Sequence, residues 1–294
     1  MPAMSDRLAV SQTQHARSLV ALHAAVLLFG FAGLFGKWLA LPPVMIVFGR
    51  TLIASLALAL ILRLSRERGV PQNGGFEWRL VAGGALLAVH WISFFQAIQT
   101  SSVAVGLLGF ASFPLFVLLL EWGLRQRGFQ TADALTATAV AAGLLLVVPA
   151  FTFENRVVQG LAWGLLSGFT FALLAVGNRA LATRHSAGSI ALWQNGAAAV
   201  LSLPLAVAAW TTPDTREIGL LLVLGIVCTA LAHTLFIRSL RVLSAHTASV
   251  VAALEPVYGI VFAFIFVGEI PTPRMLVGGA LILGGAFFAT VRAP

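Results

Sequence analysis

Glu255 is an acid in a stretch that is otherwise almost wholly apolar, lying within residues 244–267 in the order Ala-Leu-Glu-Pro-Val-Tyr. A carboxylate at the centre of a membrane helix costs about 2.5–3.5 kcal/mol on insertion scales unless it meets water or a partner. Two readings follow: a cavity-facing site for substrate or proton, or a structural role, as a pair with Arg50 or as a protonated acid hydrogen-bonded within a bundle. Tyr258, the only tyrosine, lies one helical turn further on, placed to orient that acid or touch substrate. His90 sits in another apolar run beside Trp91, Phe94 and Phe95. A neutral imidazole there can accept or donate a hydrogen bond and stack against a ring, so His90 and Phe94 are candidate binding residues. His233 and His246 also fall in or near apolar runs, and a histidine satisfied by a neighbouring helix is the plainer reading of each. Trp163, Ser167 and Thr170 recur at three- to four-residue spacing, which puts one ring and two hydroxyls on a common helical face, as a small-molecule pocket requires. Pro114 and Pro256 each remove a backbone donor and predict a bend, and they are the candidate hinges. No cluster with metal-ligand spacing accompanies these residues, and no cofactor is implied.

The elements that position them are transmembrane helices. Ten apolar segments reach the roughly 20 residues that a hydrocarbon core of about 30 Å demands: 19–40, 43–63, 79–99, 102–121, 131–150, 158–179, 187–209, 217–237, 244–267 and 273–291. In lipid every backbone N–H and C=O needs an internal partner, and the alternation of barrel strands is missing, so the segments are expected as helices. Gly160, Gly164 and Gly168 form a small-residue stripe that lets two helix backbones approach, and Gly30, Gly33 and Gly36 form another.

Composition agrees. Of 294 residues 59% are hydrophobic and only 10% charged, and the mean hydropathy is +0.96, too little charge to cover a soluble globule. The formal charge of +8 would point to nucleic acid in a soluble protein, but here the cations punctuate apolar runs, so they read as topology signals and no nucleic-acid partner is expected. With the N-terminus inside, thirteen of the 18 Lys and Arg face the cytoplasm, Lys37, Arg156, Arg216 and Arg274 face the other side, and Arg50 lies within the second span. That bias predicts both termini in the cytoplasm. The lone Cys228 allows neither a disulfide nor a thiolate zinc site. The first 17 residues are polar and no cleavage site follows them, so they are expected to be retained as a tail.

Displacing the chain by 142 residues brings Pro114 onto Pro256, Ser102 onto Ser244 and Gly143 onto Gly285. This predicts an internal repeat, with a tail at 1–17 and five-helix halves at 18–150 and 151–294. Five is odd, so the second half enters from the opposite side and the repeat is inverted, an arrangement suited to alternating access. Lys37 at the end of the first span, Arg50 early in the second, Leu254-Glu255-Pro256-Val257 followed by Gly268-Glu269, and the glycines Gly278, Gly279, Gly284 and Gly285 complete a pattern. In this combination the chain resembles the drug/metabolite transporter superfamily and, within it, the ten-helix EamA-type exporters. Arg127 stands at the repeat position of Glu269, so the first half departs from the family's acid there. With seven Trp and 21 Phe, the chain is similar to the aromatic amino acid exporters of that superfamily. The resemblance implies export of amino acids or similar metabolites across a bacterial inner membrane, with a multidrug or other metabolite exporter of the same superfamily as the alternative.

Rival functions have less support. Metalloprotease and hydrolase motifs such as H-E-x-x-H and G-x-S-x-G are missing, which argues against an enzyme. The short connections leave no room for a receptor domain. A channel shares its lining chemistry with a carrier, but the repeat and the lack of a charged ring favour the carrier. The expectation is an all-α membrane protein of ten spans in two inverted repeats, with the bilayer and a small molecule as its partners.

Overall fold

Long apolar runs unbroken by charge leave the backbone no partner in lipid except itself, and the chain responds with helices. A computed structural model describes residues 2–64, 77–125, 128, 131–147 and 154–291, and among these every regular element is helical. Eight helices are long and apolar enough to cross a membrane: α1 Thr13–Trp38, α2 Pro43–Leu64, α3 Trp78–Thr100, α4 Val103–Gly123, α6 Arg156–Leu181, α7 Ala187–Ala208, α8 Thr215–Ser239 and α9 Ala245–Val267. Two others, α5 Thr131–Val147 and α10 Pro273–Val291, have shorter apolar stretches, Ala137–Val147 and Pro273–Gly285. The helix containing α1 begins at Pro2. Arg66, Arg68, Arg127 and Arg292, four of the cations used to predict topology, lie outside the described residues.

Helix packing pairs off under exchange of the two halves. α3 packs on α6 as α8 packs on α1, α4 on α6 as α9 on α1, and α2 on α7 and α5 on α10 are their own counterparts. Local structure follows the same 142-residue offset. Ser102 caps α4 by accepting from Val105 N, and Ser244 caps α9 by accepting from Thr247 N. α4 is interrupted at Ala111–Ser112 just before Phe113-Pro114, and α9 at Ala253–Leu254 just before Glu255-Pro256. In each case proline supplies no N–H to the preceding turn and its ring displaces the carbonyl there. Where bends were expected, each helix is interrupted for two residues that keep right-handed helical dihedrals.

The glycine stripes bring backbones together. A Cβ on Gly164 would lie 2.9 Å from Gly106 O and 2.9 Å from Gly109 Cα, so α6 and α4 touch main chain to main chain. Gly30 faces Gly259 and the Glu255 carbonyl in the α1–α9 contact, and Gly143 faces the Gly278 carbonyl between α5 and α10. Gly164→Leu is expected to lower the melting temperature of the detergent-purified protein by several degrees, through overpacking of about 1–3 kcal/mol or more. Gly177→Leu on the same helix, with nothing within 4 Å of an added Cβ, is expected to stay near wild type. Equal melting of the two would show that the stripe is not a packing face.

Candidate functional site

Closures at both ends of the bundle are built from charged side chains that cap backbone groups. At one end Lys37 Nζ donates to Ser101 O at 3.0 Å and lies 3.7 Å from Glu269 Oε1, while Glu269 Oε2 accepts from Val103 N at 2.9 Å. Gly268, at φ +74°, ends α9 in the left-handed conformation that glycine adopts freely, and the turn it makes carries Glu269 back to this contact. Glu217 Oε1 accepts from Ala40 N at 3.1 Å while sharing a capping box with Asp214. At the other end, where α3 begins, His185 Nε2 meets Glu77 Oε2 at 2.7 Å and Arg241 donates to the carbonyls of Ala182 and His185, each at 3.1 Å. There Arg179 donates to Leu243 O. Lys37 with Ser101 and Arg179 with Leu243 are related by the same 142-residue offset, and they lie at opposite ends of α3.

Between the closures lies a small cavity lined by Phe29, Ala32, Arg50, His90, Trp91, Phe94, Phe110, Phe171, His233 and Glu255. About 20 Å³ is open to the centre of a water molecule, where about 10–15 Å³ admits one water. Two wider pockets lie elsewhere, one of about 460 Å³ beside Lys37 and one of about 800 Å³ beside Arg17, Arg238 and Arg241, and neither shares a lining residue with this cavity. The described conformation is thus closed in the middle.

Aromatic rings form the wall. Phe171 on α6 is its hub, stacked on His90 at 4.6 Å between centroids and set 4.9 Å from Phe113, 5.1 Å from Phe236 and 5.5 Å from Phe110. His90 Nδ1 lies 3.0 Å from Ser167 O and 2.8 Å from Ser167 Oγ. A carbonyl oxygen can only accept, so Nδ1 carries the hydrogen and Nε2 keeps its lone pair.

Arg50, 1% exposed, is the one cation on this cavity among the described residues. Its guanidinium lies over the Trp91 ring at 3.9 Å, Nε donates to Thr229 Oγ1 at 2.9 Å, and Nη2 donates to Cys228 O at 3.3 Å. The last bond exists because α8 widens into a π-helical turn at Ile226–Leu231. Ala232 N bonds the carbonyls of Val227 and Thr229, so the Cys228 carbonyl, its ordinary α-helical acceptor, is left for Arg50.

His90, Phe94 and Glu255, singled out from sequence, all line the cavity. Ser167 and Thr170 stand behind it: both are buried, Ser167 holds His90, and Thr170 bonds the carbonyls of Leu166 and Ser167. Tyr258 is half-buried against α1, where its Cβ faces Gly30, and is not a lining residue. Trp163 is 40% exposed on the outside of α6, so the structure does not bring it to the cavity. Glu121 and Glu217 are buried as well, near helix ends and away from the cavity lining. Sequence reasoning missed Phe110, Phe171 and the π-turn, and it weighed Arg50 as a partner for Glu255 and as part of the family pattern but not as a cavity residue. The usable signal was that any cation inside a span needs a reason.

Two stretches of the chain, residues 17–148 and 158–291, match the model of the EamA-like transporter family. The pseudopaline exporter CntI of Pseudomonas aeruginosa (strain UCBPP-PA14) is 30% identical over 253 residues, covering 83% of this chain and 84% of that protein. The uncharacterized transporter YxxF of Bacillus subtilis is 22% identical over 96% of this chain and 92% of its own. An S-adenosylmethionine uptake transporter of Rickettsia prowazekii is 22% identical over 71% and 70%. A solved crystal structure has the same fold, with a TM-score of 0.73 at 20% identity over 94% of this chain and 98% of that one.

Proposed function

The chain belongs to the EamA-like transporter family, and from that premise we propose that it exports amino acids, aromatic ones included, across a bacterial inner membrane by alternating access. The observation that carries this reading is the aromatic-walled cavity held shut between two closures. Rings give a substrate side chain stacking area with few rotors to freeze, and a few fixed polar groups hold its charged end. In the same reading α5 and α10 complete ten spans, both termini are cytoplasmic, and the halves 18–150 and 151–294 form an inverted repeat. Offset-related hydrogen bonds at opposite ends of α3 support the inversion. Pro114 and Pro256 then serve as hinges, since each half-helix beyond its break can tilt without unwinding the other. The relatives named for pseudopaline export and S-adenosylmethionine uptake support a second reading, carriage of another small metabolite through the same cavity.

Counterflow in proteoliposomes with labelled amino acids tests the assignment. L-phenylalanine or L-tryptophan is expected to exchange, and failure to move any amino acid would leave the second reading in its place. His90→Ala removes a ring stack and a buried hydrogen-bonded group, together about 2 kcal/mol, so exchange should fall about tenfold or more. Trp163→Ala is expected to stay within about twofold of wild type, as befits a ring facing lipid. The reverse order would place the site elsewhere.

A further inference from the structure

The atoms around the central cavity are unevenly satisfied. Arg50 uses Nε and Nη2 on α8, but Nη1 is buried without an acceptor. His233, 0% exposed, has its Nδ1 3.3 Å from the amide nitrogen of Asn195, and its Nε2 is buried without a partner. An amide nitrogen only donates, so Nδ1 accepts and Nε2 carries the hydrogen. Arg50 and His233 both flank Trp91, with the His233 ring 5.9 Å from it in an edge-on contact. Two buried donors therefore line one cavity with no acceptor from the protein.

Glu255, 4% exposed, lines the same cavity. Among the described residues it makes no ion pair with Arg50, although the two are the acidic and the basic side chain of the lining. A purely structural pair would close to contact, because charges taken out of water recover that loss only at short range with their hydrogen bonds complete. Here the guanidinium is held back by its stack on Trp91 and its two bonds to the π-turn.

Resting on the export reading above, we propose that these groups are a cradle for the head of a zwitterion: the carboxylate of a free α-amino acid accepts from Arg50 Nη1 and His233 Nε2, and its ammonium group donates to Glu255. A carboxylate offers about four lone pairs and an ammonium three donors with no acceptor, so one such head group satisfies each orphaned atom and balances both charges. The side chain then lies on the wall of Phe94, Phe110 and Phe171. The present volume admits no such ligand, so binding accompanies widening of the cavity as one closure opens.

Thermal stabilisation of the detergent-purified full chain by four probes tests the cradle. L-phenylalanine and L-leucine are expected to raise the melting temperature. L-phenylalanine methyl ester, which lacks the carboxylate, and N-acetyl-L-phenylalanine, which lacks the ammonium, should need at least about tenfold higher concentration for the same shift. In Glu255→Gln the handicap of the N-acetyl compound relative to L-phenylalanine should shrink by about tenfold. Equal stabilisation of the wild type by the ester or the N-acetyl compound overturns the proposal, as does stabilisation by neither amino acid. If amino acids exchange in counterflow and the blocked compounds compete equally, the cradle falls while the export reading stands.

Discussion

Arg50→Gln is expected to destabilise the protein and abolish exchange, whereas Arg50→Gln combined with Glu255→Gln should recover most of the stability and none of the exchange. The single substitution removes the donors to Thr229 and Cys228 and leaves Glu255 on a buried cavity with no cation beside it. Arg50 and Glu255 are not in contact, but ionisable groups on one small buried cavity offset each other's desolvation at a distance, so removing one is expected to cost up to the about 3–5 kcal/mol of a stripped contact pair, whereas replacing both by neutral groups of similar size is often close to neutral. Thermal melting of the purified variants reads the first quantity and counterflow the second. A double variant that melts like the single one would mean that Glu255 does not depend on Arg50. Exchange at the wild-type rate in the double variant would remove both charges from the transport site.

Glu269→Ala is expected to raise the accessibility of the cavity from the Lys37 end. The substitution deletes the ion pair with Lys37 and the charged acceptor for Val103 N. The ion pair is partly exposed and contributes at most about 1 kcal/mol, while a hydrogen bond to a charged group contributes about 1.5–3 kcal/mol before solvent takes its share. A net loss of about 1–2 kcal/mol shifts an equilibrium about five- to thirtyfold. Ala32→Cys in a Cys228→Ser background places a thiol on the cavity lining, and its labelling by an impermeant thiol reagent from that side should accelerate by that factor. Arg179→Ala is expected to have a smaller effect from the opposite end. There the hydrogen bond to Leu243 O stands at the offset position of Lys37 and Ser101, and Arg127 occupies the sequence position of the acid. Unchanged labelling in Glu269→Ala would mean that this contact does not hold the closure.

Membrane solvent explains how the fold and the site divide between sequence and tertiary structure. Helix after helix was legible, because about 20 apolar residues in lipid have no other way to satisfy their backbone. The predicted spans 43–63 and 187–209 differ from α2 Pro43–Leu64 and α7 Ala187–Ala208 by a single residue. The 142-residue offset was legible as well, since proline and a capping serine act on their own turn wherever the helix sits, and the breaks before Pro114 and Pro256 appear in register. The glycine stripe of α6 was readable for the same local reason. Which face of each helix meets the cavity was not legible. Lipid is as apolar as a packed core, so the period of apolar residues that marks the inner face of a soluble helix marks nothing here. Trp163 and Phe171 are both large rings on α6, and only the rotation of that helix against α3 and α4 puts one toward lipid and the other at the hub of the cavity. Arg50 stood in plain view as a cation inside a span, but its role depends on a π-turn in α8, a helix 178 residues away in the chain, that frees the Cys228 carbonyl to hold it. No residue pattern near Arg50 encodes that carbonyl. Composition and spacing determined the helices, the 142-residue offset of their breaks and caps, and their close glycine contacts, whereas packing between distant segments decided which side chains share the cavity and which of their polar atoms are left unpaired.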